Sequence, residues 1–273
     1  MPDVQPEPVQ TEPRAPLAIV TGASSGIGKA VAILLAQRGV RTILIARRTD
    51  RLEALAKELS AKVPSFPLTL DLLDNLAIDQ ALNRIIADYG HVDILINNAG
   101  DGKMLKALEH SHEEHHRMMQ VHYFAPVKFI EKLLPGMLAR GKGHIINVSS
   151  LSSKMGPWGH GPYSAAKAAI VSFTQTLAME YCNCGVHFSY VNPGLVLTEF
   201  FDNPGYDKLQ DEVKKRGIPA QRVAKKIVRL LDRPKLELCV PRLYRIIDLF
   251  KAISPTFAHW VVKKGSTPKD ERK

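Results

Sequence analysis

Cysteine is scarce in this chain: Cys182, Cys184 and Cys239 are the only three, too few for a disulfide framework and without the spacing of a zinc site. A reducing cytoplasm is the compartment that suits such a composition. Long apolar runs are missing too, since none reaches the ~18 residues of a membrane-spanning helix. The opening MPDVQPEPVQTEPRAP lacks a basic stretch followed by an apolar core, so it does not read as a secretory signal. Its proline and polar content reads instead as a disordered tail over 1–15. No internal repeat or linker divides the rest, and 45% hydrophobic content is enough to fill one sizeable core.

Positive charge is what the chain has in excess, with a formal net charge of +10. Its basic residues are dispersed over Arg47-Arg48, Lys214-Lys215-Arg216, Lys225-Lys226 and the C-terminal tail, with no nucleic-acid-binding motif around them. A solvated basic surface with a few sites for a phosphate-bearing cofactor is the expected use, and no nucleic-acid partner is expected.

Apolar runs at 17–20, 42–46, 66–70, 92–96, 144–148, 186–191 and 238–240 alternate with stretches of helical periodicity. That alternation predicts right-handed crossovers and a doubly wound parallel sheet of the α/β, Rossmann type, covered on both faces. One domain is expected over 16–241, followed by an amphipathic extension and basic tail over 242–273. In such sheets ligands bind beyond the carboxyl ends of the strands.

After the first strand comes Thr21-Gly22-Ala23-Ser24-Ser25-Gly26-Ile27-Gly28. Glycines there permit a tight turn and close approach of backbone to a pyrophosphate, and the following helix offers unpaired amides to the anion. The spacing is G-x-x-x-G-x-G and not the commoner G-x-G-x-x-G. At the end of the second strand, where a carboxylate would hold a ribose 2′-hydroxyl, the chain has Ala46-Arg47-Arg48, which suits a 2′-phosphate. NADP(H) is the expected cofactor, with Arg47 the main contact and Arg48 either a second contact or the start of a solvated helix.

Tyr163 and Lys167 are four residues apart, hence on one helix face, and Ser150 lies thirteen residues before the tyrosine. An ammonium beside a phenol can lower a pKa that is ordinarily near ~10; a shift of ~3 units corresponds to ~4 kcal/mol. Ser150 could hold a carbonyl or hydroxyl against that phenol, an arrangement for proton transfer at an alcohol carbon. The competing reading of the pair is a surface helix contact.

Together these residues resemble the short-chain dehydrogenase/reductase family over about 15–241. The glycine loop is similar to its T-G-x-x-x-G-x-G, Asn97-Asn98-Ala99-Gly100 to its N-N-A-G, and Tyr163-x-x-x-Lys167 to its hallmark pair. Pro193-Gly194 followed by Thr198 resembles its P-G-x-x-x-T stretch, and Asp71 stands where the family contacts the adenine ring. The resemblance implies hydride transfer between nicotinamide and a carbonyl or alcohol carbon, with Tyr163 as general acid/base, Ser150 on the substrate oxygen and Lys167 on the nicotinamide ribose. Gly22, Ser24, Ser25, Gly26, Ile27, Gly28, Asn98, Ala99, Gly100, Pro193, Gly194 and Thr198 would line the cofactor. It also implies a homo-dimer or homo-tetramer. One departure stands out: the family's asparagine in the helix after N-N-A-G is His122 here, in Val121-His122-Tyr123. His122 is expected to join the proton relay or to be tolerated because backbone does that work. If catalysis were impaired, the alternative would be a low-turnover NADP-binding regulatory protein.

Other signals are weaker. His112 and His116 have an i,i+4 spacing but no placed third ligand, so no metal is expected. Met155 and Trp158 are candidates for a substrate pocket, while Asp101 and His160 are polar neighbours without an assigned role. Phe200-Phe201, in the covering loop from Glu199 to Pro219, point to a lipophilic carbonyl or alcohol substrate. Leu243, Ile246, Ile247 and Phe250 form a helical stripe among Arg242, Arg245 and Lys251. That stripe has four open uses: covering a substrate, packing on its own domain, contacting a second subunit, or peripheral contact with an anionic membrane.

Overall fold

Strands that are apolar throughout, and not on alternate residues, need cover on both faces, and the chain supplies it. The computed structural model describes residues 14–206 and 217–268. The start of the expected tail, the middle of the expected covering loop and the last basic residues therefore lie outside the described residues. Seven strands form one parallel sheet: β1 (Leu17–Thr21), β2 (Arg41–Ala46), β3 (Ser65–Thr69), β4 (Ile94–Asn97), β5 (Gly143–Val148), β6 (Val186–Pro193) and β9 (Glu237–Val240). Their order is β3-β2-β1-β4-β5-β6-β9. Every residue of β1, β2, β4 and β5 is buried. A separate pair, β7 (Val196–Leu197) and β8 (Ile218–Pro219), is too short to leave a periodic signal in the sequence.

Helices α1 (Gly26–Gln37), α2 (Thr49–Ser60) and α7 (Ala220–Arg229) pack on one face of the sheet through Val31, Leu35, Leu52, Leu59 and Ile227. On the other face lie α3 (Asn75–Tyr89), α5 (Ala125–Ala139) and α6 (Gly161–Glu180), with Ile78, Leu82, Phe129, Leu133 and Leu177. Helix α4 (His112–Met119) runs into α5 through a π-turn at Gln120–Phe124. At the C-terminus a 3₁₀ turn, Arg242–Arg245, precedes α8 (Ile246–Ile253) and α9 (Pro255–Ser266). Among the described residues no helix is long and apolar enough to cross a membrane.

Two consequences of the strand order matter for function. From β1 the chain winds outward through β2 to β3, then returns to β4 on the other side of β1, so the carboxyl ends of β1 and β4 border the crevice where such sheets bind ligands. Pro67, which lacks a ladder donor, is tolerated because β3 is an edge strand.

Beneath the crevice a buried polar chain fixes the elements to one another. Asn97 Nδ2 donates to Asn147 Oδ1 (2.9 Å), Asn147 Nδ2 to Thr174 Oγ1 (2.8 Å), and Thr174 Oγ1 to the Ile170 carbonyl (2.6 Å). One layer higher, Ser149 Oγ donates to the Lys167 carbonyl at 2.9 Å. β4, β5 and α6 are thereby locked in register directly under the candidate site. Phe129, 1% exposed, anchors α5 to the sheet. Phe129→Ala is expected to lower the unfolding free energy by about 3–5 kcal/mol, read from the urea midpoint at unchanged m-value.

Candidate active site

The crevice is built by the turn after β1. Thr21 Oγ1 accepts from the backbone amides of Asn98 (2.9 Å) and Ala99 (3.0 Å), and Asn98 Nδ2 donates back to the Thr21 carbonyl (3.0 Å). Gly22 and Gly26 take φ of +68° and +54°, which glycine adopts without strain. A Cβ at Gly28 would stand 2.3 Å from the Gly22 carbonyl oxygen, so only glycine lets the helix start close against the loop. Ser25, the N-cap of α1, makes no side-chain cap, and the first turn has no acidic residue. Unpaired amides at the positive end of α1 are thus left for an anion.

These features fit a dinucleotide pyrophosphate. The cleft, about 330 Å³, is lined by Gly22, Ser24, Ser25, Gly26, Ile27, Arg47, Arg48, Asp71, Asn98, Ala99, Gly100 and Thr198. Pro193 lies apart from this wall at the end of β6, and a Cβ on Gly194 would meet the Tyr244 ring at 2.9 Å. Of the two arginines, Arg48 is the one tied to the loop: it donates to Ser24 Oγ (3.0 and 3.1 Å) and Ser25 Oγ (2.7 Å). Arg47 is on the cleft wall but largely exposed.

Beyond the cleft, Tyr163 and Lys167 sit one turn apart on α6, the Lys167 Nζ 5.8 Å from the phenol ring centroid. Lys167 Nζ donates to the Val148 carbonyl at 2.7 Å. Burial lowers the Lys167 pKa to about 7. Tyr163 is half-buried, and burial pushes its pKa up to about 12 against the opposing pull of a hydrogen bond with Ser150. The expected lowering by the ammonium is not seen: burial dominates and Asp101 adds to the rise, so the phenol is protonated at neutral pH, while the lysine carries only part of its charge. Ser150 Oγ also accepts from the Ser152 amide at 3.1 Å, which fixes the hydroxyl at the end of β5.

His122 lies in the π-turn, buried, with its ring centroid 5.1 Å from that of Tyr163. Its Nε2 is 2.9 Å from the Asp101 carbonyl, which assigns the proton to Nε2 and leaves Nδ1 as a buried acceptor without a hydrogen-bond partner. Burial holds its pKa well below the ordinary value, and Lys167 adds to the shift, so the ring is neutral. The imidazole fits because residue 100 is glycine: a Cβ there would meet His122 Cε1 at 2.4 Å. The π-turn is the kind of local irregularity that often marks a functional site.

Arg51 and Arg117 belong to the site although no sequence motif marks them. Arg51 joins Arg48 in holding Glu199. Arg48 is the N-cap of α2 and Arg51 lies in its first turn, and that three-residue spacing was the available signal. Arg117 grips Asp101 with two nitrogens at 2.7–2.9 Å on the wall of the cleft. Phe200 places its ring 5.6 Å from Tyr163 and 5.2 Å from Tyr206. The Trp158 amide donates to Ser266 Oγ (3.2 Å) and Lys154 pairs with Glu237 (2.6 Å) and Asp248, so α8 and α9 are fastened to the segment that joins Ser150 to Tyr163. His112 and His116 pack ring to ring on α4, and among the described residues no group of three or more His, Cys, Asp or Glu could hold a metal ion.

A doubly wound parallel sheet with a glycine loop and an uncapped helix start at its switch point defines a dinucleotide-binding α/β protein. The chain belongs to the short-chain dehydrogenase family, whose profile, described as short chain dehydrogenase, matches residues 16–208. It is similar to the dehydrogenase/reductase SDR family protein 7-like of Drosophila melanogaster, 33% identical over 90% of this chain and 79% of the relative. It superposes with TM-score 0.78 on a short-chain dehydrogenase from Sphingobium yanoikuyae in complex with NADPH, at 26% identity over 89% of this chain and 95% of the other. A short-chain dehydrogenase/reductase from Burkholderia phymatum in complex with NAD superposes with TM-score 0.79 over 88% and 95% of the two chains; at 22% identity it shows the fold alone. The protein is an oxidoreductase of this family, acting with a nicotinamide cofactor on a small molecule.

Lys167 couples this site to stability. With a folded pKa of about 7 against an ordinary 10.5, the unfolded chain binds the extra proton between those values, so stability rises with pH across that window. Relative to Lys167→Met, the native chain is expected to gain about 1–2 kcal/mol from pH 7 to pH 9 in parallel urea titrations. A constant difference between the two would show that Lys167 keeps an ordinary pKa.

Proposed function

We propose that the chain is an NADPH-dependent reductase of lipophilic carbonyl compounds, and in reverse an alcohol dehydrogenase. Tyr163 is the observation that carries this reading: a protonated phenol, hydrogen-bonded with Ser150, with a buried ammonium one turn away. Bound in the cleft, the cofactor supplies hydride from its nicotinamide. The remaining work falls to the chain. Ser150 holds the substrate oxygen, Tyr163 donates the proton to it as negative charge develops, and Lys167 steadies the resulting phenolate and holds the nicotinamide ribose. His122, neutral and with Nδ1 open, takes the place of the family's asparagine as a hydrogen-bond acceptor in the relay behind Lys167.

Cofactor choice follows from charge. The chain leaving β2 carries Arg47 and Arg48 where a carboxylate would hold a ribose 2′-hydroxyl, and Arg48 and Arg51 together already hold one anion, the Glu199 carboxylate, which supports a 2′-phosphate and hence NADP. Phe200 packs against Tyr163 and is backed by Phe201 and Tyr206, an aromatic cluster that supports a bulky apolar substrate. A panel of carbonyl compounds and alcohols assayed with NADPH and NADH tests both points. Tyr163→Phe is expected to lower kcat by about 10²–10⁴-fold while NADPH still binds. Binding of NADPH without its oxidation across the panel would favour the regulatory alternative.

A second reading concerns where the enzyme works. Leu249 and Ile253 on α8 are 56% and 73% exposed, Phe257 and Trp260 on α9 are 48% and 54% exposed, each pair at helical spacing, and Leu243 in the preceding turn is 76% exposed. Beside these residues a groove of about 360 Å³ is lined by Arg222, Lys226, Arg229, Arg233, Lys235, Arg242 and Arg245, with Glu237 its one carboxylate among the described residues. A second copy of the chain would set like charge against like. An anionic lipid surface satisfies both the apolar face and the basic groove. The protein is expected to sediment with phosphatidylglycerol-containing vesicles and not with phosphatidylcholine alone, and the double substitution Leu249→Glu, Ile253→Glu to abolish it. Failure to bind either vesicle would leave the face to a different partner.

A further inference from the structure

We propose that Glu199 is an internal stand-in for the 2′-phosphate of NADP, and that binding of that phosphate releases the turn that lies against Tyr163. The proposal rests on the NADP reading above. Arg48 Nη1 lies 2.5 Å from Glu199 Oε2, and Arg51 Nη1 lies 2.6 Å from Oε1, so each carboxylate oxygen engages one guanidinium. A phosphate uses its oxygens on a pair of arginines in the same way. Arg48 is held in place, because its Nε and Nη2 donate to Ser24 and Ser25 of the glycine loop while Nη1 faces Glu199. The two arginines also hold the Glu199 carboxyl below its ordinary pKa, so it is an anion at neutral pH.

Two guanidiniums cannot serve a carboxylate and a phosphate dianion equally. The phosphate carries the greater charge, and Glu199, with 45% of its side chain exposed, can return to water without a desolvation penalty. Displacement is therefore the favoured outcome.

What moves with Glu199 is set by the chain. It opens the one-turn helix Glu199–Asp202, in which Thr198 Oγ1 accepts from the Phe200 amide at 3.3 Å. The next residue, Phe200, puts its ring against Tyr163 and fills the space a Cβ on Gly102 would need, 2.6 Å from Phe200 Cζ. The acid on the arginines and the ring on the proton donor thus belong to adjacent residues of one turn. A phosphate at the adenosine end loosens cover at the reacting end, and a cofactor without that phosphate leaves it latched.

Two fragments isolate the effect from turnover: 2′,5′-ADP carries the 2′-phosphate and 5′-AMP does not. By calorimetry, Glu199→Gln is expected to bind 2′,5′-ADP about three- to tenfold more tightly than wild type, with 5′-AMP unchanged. By hydrogen exchange, 2′,5′-ADP is expected to speed amide exchange over 198–206 in the wild type, 5′-AMP to leave it unchanged, and Glu199→Gln to show the faster exchange without ligand. A wild type that prefers 2′,5′-ADP, with Glu199→Gln binding it no tighter or more weakly, overturns the proposal alone, because the carboxylate would then be positioning the arginines. Exchange over 198–206 that is indifferent to 2′,5′-ADP overturns the release. Equal affinity of the wild type for the two fragments removes the NADP reading and the proposal with it.

Discussion

Everything at the mouth of the sheet depends on one hydroxyl. Thr21 Oγ1 receives the amides of Asn98 and Ala99, groups that would otherwise lie unpaired where β4 ends and the sheet can no longer serve them. That contact sets the distance between the tips of β1 and β4, and so the width of the crevice. The glycine loop can then fold tightly over it, since Gly22 and Gly28 leave no room for anything larger between loop and strand. The uncapped start of α1 faces the cleft because the loop before it is held there.

Behind this frame the reacting groups are governed by burial more than by one another. Lys167 is 5% exposed and the Asn97-Asn147-Thr174 chain below it is sealed, so the ammonium has little water to support its charge. The backbone carbonyl of Val148 partly compensates. The same surroundings keep Tyr163 a neutral phenol, which suits a proton donor.

Much of this architecture was legible in the chain. The continuous apolar runs of β1, β2, β4, β5 and β6 signalled strands covered on both faces, and the glycine loop and Tyr163-Lys167 spacing stood in the expected places relative to them. Boundaries slipped by a residue where local signals competed, as at β3, where Pro67 interrupts an otherwise plain strand. Which of Arg47 and Arg48 turns toward the loop depends on the path of the chain after β2, which composition does not encode. Glu199 meets Arg48 across 151 residues, and such a contact has no period to betray it. The direction of the Tyr163 shift was missed for a related reason: a neighbouring ammonium can be read from spacing, whereas the depth at which both groups sit is a property of the packed whole.

The placement of proline has a further consequence for the molecule in concentrated solution. An open sheet offers a row of unpaired donors and acceptors at each rim, the template on which chains join into fibrils. Here one rim is the five-residue β3 with Pro67 at its centre, and the other is the four-residue β9, ended at once by Pro241. Both rims are short and interrupted, so the sheet gives little purchase for strand addition. Self-association is thereby turned away from the backbone and left to side chains on the helices, where it can be specific and reversible.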